Sequence, residues 1–147
     1  MPTNGIPLTL VLPSELRFLA VARAFLESIC QAGRVDQSST DAVLMAVHEA
    51  ISNVIRHAHR DQPETSFHLH CNLLSDRMEI EIFDEGDHFD LASVPVLNPS
   101  ELRIGGRGVF LMRTLMDELN CSPRGKRGNV LRMVKHYREN TRLPECG

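Results

Sequence analysis

Apolar and polar residues alternate along Leu8-Thr9-Leu10-Val11-Leu12 well enough to predict a first strand, and Pro13 stops it. Ser14 stands where a helix N-cap belongs, with Glu15 in the first turn. Leu19, Ala22, Leu26 and Ile29 then recur every three or four residues, the spacing of a helix with one apolar face, ending near Gly33. A second helix is predicted to start between Asp36 and Thr40 and to run to about Ala58, with Val43, Val47, Ala50 and Val54 as its buried stripe. After a turn at Asp61-Gln62-Pro63, Phe67, Leu69, Cys71 and Leu73 alternate with His68, His70 and Asn72, so this stretch reads as a half-buried strand. Ser75-Asp76 marks a hairpin turn. Met78, Ile80 and Ile82 alternate with Glu79 and Glu81 in a third strand that runs into Phe83-Asp84.

Periodicity fades over residues 85–107, which predicts a long functional or mobile loop. A third helix is expected from about Gly108, with Val109, Met112, Leu115, Met116 and Leu119 on its core face. A strand near Cys121, a turn at Arg124-Gly125-Lys126-Arg127-Gly128 and a strand from Val130 to Tyr137 close the chain. The order β-α-α-β-β-loop-α-β-β predicts a two-layer α/β sandwich, with helices packed on one face of a mixed, mostly antiparallel sheet. The whole chain, 1–147, is expected to be one domain with its core between about residues 8 and 137.

Composition narrows the function. The 147 residues are 42% hydrophobic and 24% charged, enough for a core without a metal or disulfide staple. A net charge of −3 argues against direct nucleic-acid binding. No apolar run is long enough for a membrane span, and no basic-then-apolar leader opens the chain. The four cysteines, at 30, 71, 121 and 146, contain no CxxC and fit thiols in a reducing cytoplasm. Charge is segregated: residues 61–101 carry ten acids against Arg77, and residues 124–142 carry seven Lys or Arg against Glu139.

Three segments carry candidate chemistry. Glu49, Asn53 and His57 are spaced i, i+4 and i+8, a polar line beside the apolar stripe of the second helix. A carboxylate there can take a proton from an attacking hydroxyl, and an Asn oxygen can ligate Mg²⁺. Asp84 ends an apolar strand and can accept a hydrogen bond from an exocyclic amine, with Gly86 permitting close backbone approach. Gly105-Gly106-Arg107-Gly108 opens directly into a helix, a setting suited to phosphate oxygens. Taken singly these read as a solvated helix face, an acidic turn and a hinge.

Together, in this order and spacing, the three segments resemble the N, G1 and G2 boxes of the GHKL (Bergerat-fold) ATPases. The match is closest to the bacterial anti-sigma factor serine/threonine kinases of the RsbW and SpoIIAB type. Three stretches carry it: Glu49-Ala50-Ile51-Ser52-Asn53 through His57-Ala58, Asp84-Glu85-Gly86-Asp87-His88-Phe89-Asp90, and Gly106-Arg107-Gly108-Val109-Phe110-Leu111-Met112 through Met116-Asp117-Glu118-Leu119. The resemblance implies ATP and Mg²⁺ as cofactors. It makes Glu49 the general base, Asn53 the Mg²⁺ ligand, and Asp84 the reader of adenine with Gly86 beneath the base. Gly105, Gly106 and Gly108 would wrap the phosphates in a mobile lid, with Arg107, Arg56 and His57 assisting. Asn129 stands where the family often has Thr after a glycine, and His88 where larger members have a final Gly.

The same resemblance implies a cytoplasmic homodimer that binds a sigma factor and phosphorylates a Ser or Thr of a STAS-domain anti-sigma factor antagonist. The alternative is a nucleotide-gated binding protein without kinase activity, in which a base at Glu49 has no task. A sensor histidine kinase is disfavoured, because no phosphoacceptor helix pair is present in the sequence.

Overall fold

The structure, a computed structural model, describes residues 5–60, 62–91 and 107–139. Five strands form one sheet: β1 (Ile6–Pro13), β2 (Ser66–Leu73), β3 (Arg77–Asp84), β4 (Glu118–Pro123) and β5 (Asn129–His136). Their spatial order is β1-β2-β3-β5-β4. Every pairing is antiparallel, so the expected mixed sheet is corrected to a wholly antiparallel one. β2–β3 and β4–β5 pair as consecutive strands, while β1–β2 and β3–β5 pair antiparallel across connections that hold the helices.

Alternation along the strands sets two faces. Phe67, Leu69 and Cys71 on β2 pair in register with Ile82 and Ile80 on β3 or Leu12, Leu10 and Leu8 on β1, and they share a buried side. That side is covered by α1 (Leu19–Ala32), α2 (Gln37–Asn53) and α3 (Arg107–Leu115), whose Leu26, Ile29, Val43, Val47, Ile51 and Met112 join the same core. Each such side chain contributes about 1.5–3 kcal/mol by leaving water.

The other side of the sheet mixes apolar residues, Val11, Phe83, Val130 and Val134, with an ion-pair cluster. There Arg132 on β5 contacts Glu79 at 2.8 Å and Glu118 at 3.5 Å. Pairing of β3 with β5 thus brings the acidic and basic halves of the chain side by side. Such exposed pairs add little stability.

Three local expectations are corrected. Ser14 is not a helix cap; its side chain is buried, and a short 3₁₀ turn (Leu16–Phe18) leads into α1 instead. Asp36 does cap α2, accepting from Ser39 N–H at 3.1 Å. That helix becomes a π turn over Val54–Ala58, so its regular α geometry ends at Asn53. Leu119 belongs to β4, because α3 stops at Leu115 and Lys135 Nζ occupies the Leu115 carbonyl. Among the described residues no helix is long and apolar enough to cross a membrane.

Candidate functional site

The C-terminal part of α2, the π turn, α3 and the paired ends of β3 and β5 surround a cavity of about 330 Å³, within the range of small-molecule sites. Ala50, Val54, Val109, Met112 and Leu131 give it apolar walls, while Asn53, His57, Asp84 and Asn129 supply polar groups. An apolar slot with a few convergent polar groups suits a flat heterocycle with hydrogen-bonding edges.

Asp84 sits at the bottom of this arrangement, 6% exposed. Gly86 N–H donates to its Oδ1 at 2.9 Å, and Asn129 Nδ2 donates to the same oxygen at 3.1 Å. Oδ2 has no partner among the described residues, so one carboxylate oxygen is held and the other is available. The Asp84 carbonyl accepts from Arg124 Nη1 at 3.1 Å, and that guanidinium also lies over the Phe83 ring.

Asn129 is already fully occupied as a donor. Its Nδ2 also donates to the Asp87 carbonyl at 2.8 Å, and its Oδ1 accepts from Phe89 N–H at 2.8 Å. The residue lines the cavity, but its amide donates to Asp84 at the end of β3 and to Asp87 in the loop after it. Within the described structure Asn129 is a strut between the end of β3 and the loop that follows it.

Two glycines are required by close approach. A Cβ on Gly86 would stand 2.5 Å from Ala58 Cβ and 2.7 Å from its carbonyl oxygen. The missing side chain of Gly86 thus faces the π turn, and Gly86 does not line the cavity. Gly128 adopts φ +99°, where a Cβ would meet the Asp84 carbonyl at 2.5 Å, and its N–H donates to the Gly86 carbonyl at 2.7 Å.

Gly108 turns its Cα toward Glu49 and Asn53, of which Asn53 lines the cavity. A Cβ there would lie 3.1 Å from Asn53 Nδ2 and 3.2 Å from Glu49 Oε2. The helix start after the glycine-rich segment therefore abuts Glu49 and Asn53, residues 55 to 59 positions earlier in the chain. Gly105 and Gly106 lie outside the described residues, as does the side chain of Arg107, the first residue of α3.

His57 lines the cavity although the π turn breaks the i, i+4, i+8 line that pointed to it. Arg56 is exposed and does not line the cavity. Sequence reasoning missed Arg60, Phe89, Cys121 and Leu131 as lining residues. Cys121 and Leu131 were signalled only by register: they are opposed on β4 and β5. Burial, then the Asp84 and Asp90 carboxylates, push the Cys121 thiol up to about 11, so it stays neutral in the wall.

The family profile described as a histidine kinase-like ATPase domain matches residues 12–135. A serine-protein kinase RsbW of Listeria innocua is 29% identical over 127 residues, covering 81% of this chain and 81% of that protein. Among solved structures, the SiaB-SiaC complex of Pseudomonas aeruginosa aligns at TM-score 0.70 and 16% identity, covering 90% of both chains. The RsbU and RsbW domains of a Mycobacterium tuberculosis protein align at TM-score 0.68 and 16% identity, over 95% of this chain and 34% of that longer one. At such identities these two likenesses establish the shared fold.

Proposed function

Because the chain belongs to the histidine kinase-like ATPase domain family, we propose that it is an ATP-dependent anti-sigma factor and protein serine/threonine kinase. In this reading it binds a sigma factor and phosphorylates a Ser or Thr of a STAS-domain antagonist. The observation that carries the proposal is the meeting of Glu49, Asn53 and Gly108 beside a cavity that Asn53 and Asp84 both line.

The roles follow from that geometry. Asp84 Oδ2 accepts from the adenine amine, since Oδ1 is already engaged. Val54, Met112 and Leu131 cover the base. The start of α3 presents backbone N–H groups to the phosphates, with Gly108 leaving them room. Glu49 accepts the proton of the antagonist's hydroxyl as its oxygen bonds to the terminal phosphorus and ADP departs with the bridging oxygen.

The donor chemistry fits Mg²⁺: Asn53 offers an amide oxygen, a hard ligand, beside the start of α3. Asn53 is the assigned ligand. Mg²⁺ supplies charge neutralisation on the phosphates when bound.

The name of the Listeria relative supports the kinase activity, and the SiaB-SiaC complex supports a chain of this fold holding a partner protein. A cytoplasmic homodimer completes the reading. Its support is exposed apolar side chains: Ile6 and Val11 on edge strand β1, Leu16 in the turn after it and Val21 on α1 are each more than 40% exposed. The deciding experiment incubates the protein with labelled ATP, Mg²⁺ and the antagonist encoded beside it. Label on the antagonist is the expected result. ATP-dependent capture of a partner with no label on any antagonist would leave a nucleotide-gated binder.

A further inference from the structure

His59 is 2% exposed, and the mechanism above gives it no task. Its ring joins three distant segments. Nδ1 lies 2.9 Å from Ser14 Oγ, just after β1, and Glu85 N–H donates to Nε2 at 2.9 Å. A ring nitrogen that accepts an amide hydrogen carries none of its own, so the proton resides on Nδ1 and is donated to Ser14. The amide it receives directly follows Asp84. The preceding residue, Ala58, lies against Gly86. Residues 58 and 59 therefore grip 85 and 86, immediately beyond the carboxylate assigned to adenine.

We propose that His59 is a positioning residue for nucleotide binding: as neutral imidazole it anchors the Glu85 amide and so aims Asp84 into the cavity, and protonation at Nε2 releases the anchor. This rests on the nucleotide-binding reading above. An imidazolium would set an N–H against the Glu85 N–H, two donors with no acceptor between them. The charged groups facing the ring are the Asp84 and Glu85 carboxylates, which favour the imidazolium, and Arg127, which opposes it. Arg124 lines the same outer pocket as His59 and Glu85. Burial outweighs the carboxylates and holds the imidazole below the ordinary histidine value.

The test titrates ADP by calorimetry into the full chain from about pH 7.5 down to about pH 4.5, for wild type, His59→Gln and His59→Leu. A Gln oxygen accepts the Glu85 N–H and does not protonate. Near pH 7.5, His59→Gln should bind within about threefold of wild type and His59→Leu about tenfold more weakly. On acidification wild type should lose about tenfold more affinity than His59→Gln. That difference cancels the titration of ADP itself, which is common to both proteins. Should His59→Leu not fold, the wild-type and Gln profiles still decide, and ¹⁵N spectra of the wild-type ring should show Nδ1 protonated at neutral pH. Parallel acid profiles, or a proton on Nε2, would overturn the positioning role while leaving nucleotide binding standing. No ADP binding by wild type near pH 7.5 would overturn the nucleotide reading and the positioning role with it.

Discussion

Asp84 and Asn129 are register partners on β3 and β5, and their side chains are hydrogen-bonded at 3.1 Å. Both are nearly excluded from water. Asn129→Asp would replace the donor with a second carboxylate beside Asp84 and leave the Asp87 carbonyl and Asp84 Oδ1 facing like charge. The variant should lose roughly 2–4 kcal/mol of stability at neutral pH. Urea denaturation should show part of that loss recovered under acid, as the pair shares a proton. Equal stability of variant and wild type at neutral pH would refute the strut assignment.

The three glycines at the site should respond differently to an added methyl group. Gly86→Ala drives a Cβ into Ala58 backbone and Gly128→Ala forces φ +99° onto Ala against the Asp84 carbonyl. Each should destabilise by about 2 kcal/mol or more. Gly108→Ala meets only the ends of Asn53 and Glu49 and sits in a helix, where Ala is favoured over Gly by about 1 kcal/mol. Its melting temperature should hold or rise while phosphate transfer falls. A melting scan beside a transfer assay separates the cases.

Much of this site was legible because it is written locally. Asp84 ends an alternating strand, Asp36 precedes a helical period, and the Glu49 to Asn53 spacing places both on one helix face. What stayed hidden depends on tertiary partners. Ser14 had the local signature of a cap, but its hydroxyl meets a histidine 45 residues away, and no short-range pattern reports that. The π turn after Asn53 adds one residue to a helical turn without a Gly or Pro to mark it. The strut role of Asn129 left no local mark because its partners, Asp84 and Asp87, lie on another strand and its loop.

The pH dependence of folding without ligand follows from His59. Its imidazole is lowered in the folded protein, chiefly by burial, so the unfolded chain takes up a proton first as pH falls. Its contribution is therefore present above the ordinary histidine value, near 6.5, and is lost as pH drops through the lower folded value. Wild type should lose more stability than His59→Gln across that acidic window, with the two curves running parallel above it. Denaturation midpoints at a series of pH values provide the check.

The β1 edge, which has no neighbouring strand among the described residues, should be where two chains meet. Light scattering is expected to give twice the mass of one chain. Val11→Lys, at a position 51% exposed, should shift it toward the monomer without lowering monomer stability by more than about 0.5 kcal/mol. A single-chain mass for wild type at high concentration would remove the homodimer from the reading.

Glu49 and Asn53 stand one helical turn apart and both approach the Gly108 Cα, yet their proposed tasks differ. A general base contributes only to transfer, roughly 10²–10⁴-fold in rate. Glu49→Gln keeps the size of the side chain and removes its basicity. It should cut phosphate transfer by that factor while ATP binding and partner capture stay within about threefold. Asn53→Ala removes the oxygen assigned to Mg²⁺, so it should weaken Mg-ATP more than metal-free ADP, and both half-exposed positions should tolerate the change with little loss of stability. Transfer rates, calorimetry with and without Mg²⁺, and pull-downs on the same two variants distinguish the roles. If Glu49→Gln leaves transfer unaltered, the proton goes elsewhere and the base assignment falls. If both variants weaken ATP equally, metal-bound or free, then Asn53 is a packing residue of the cavity and not a ligand.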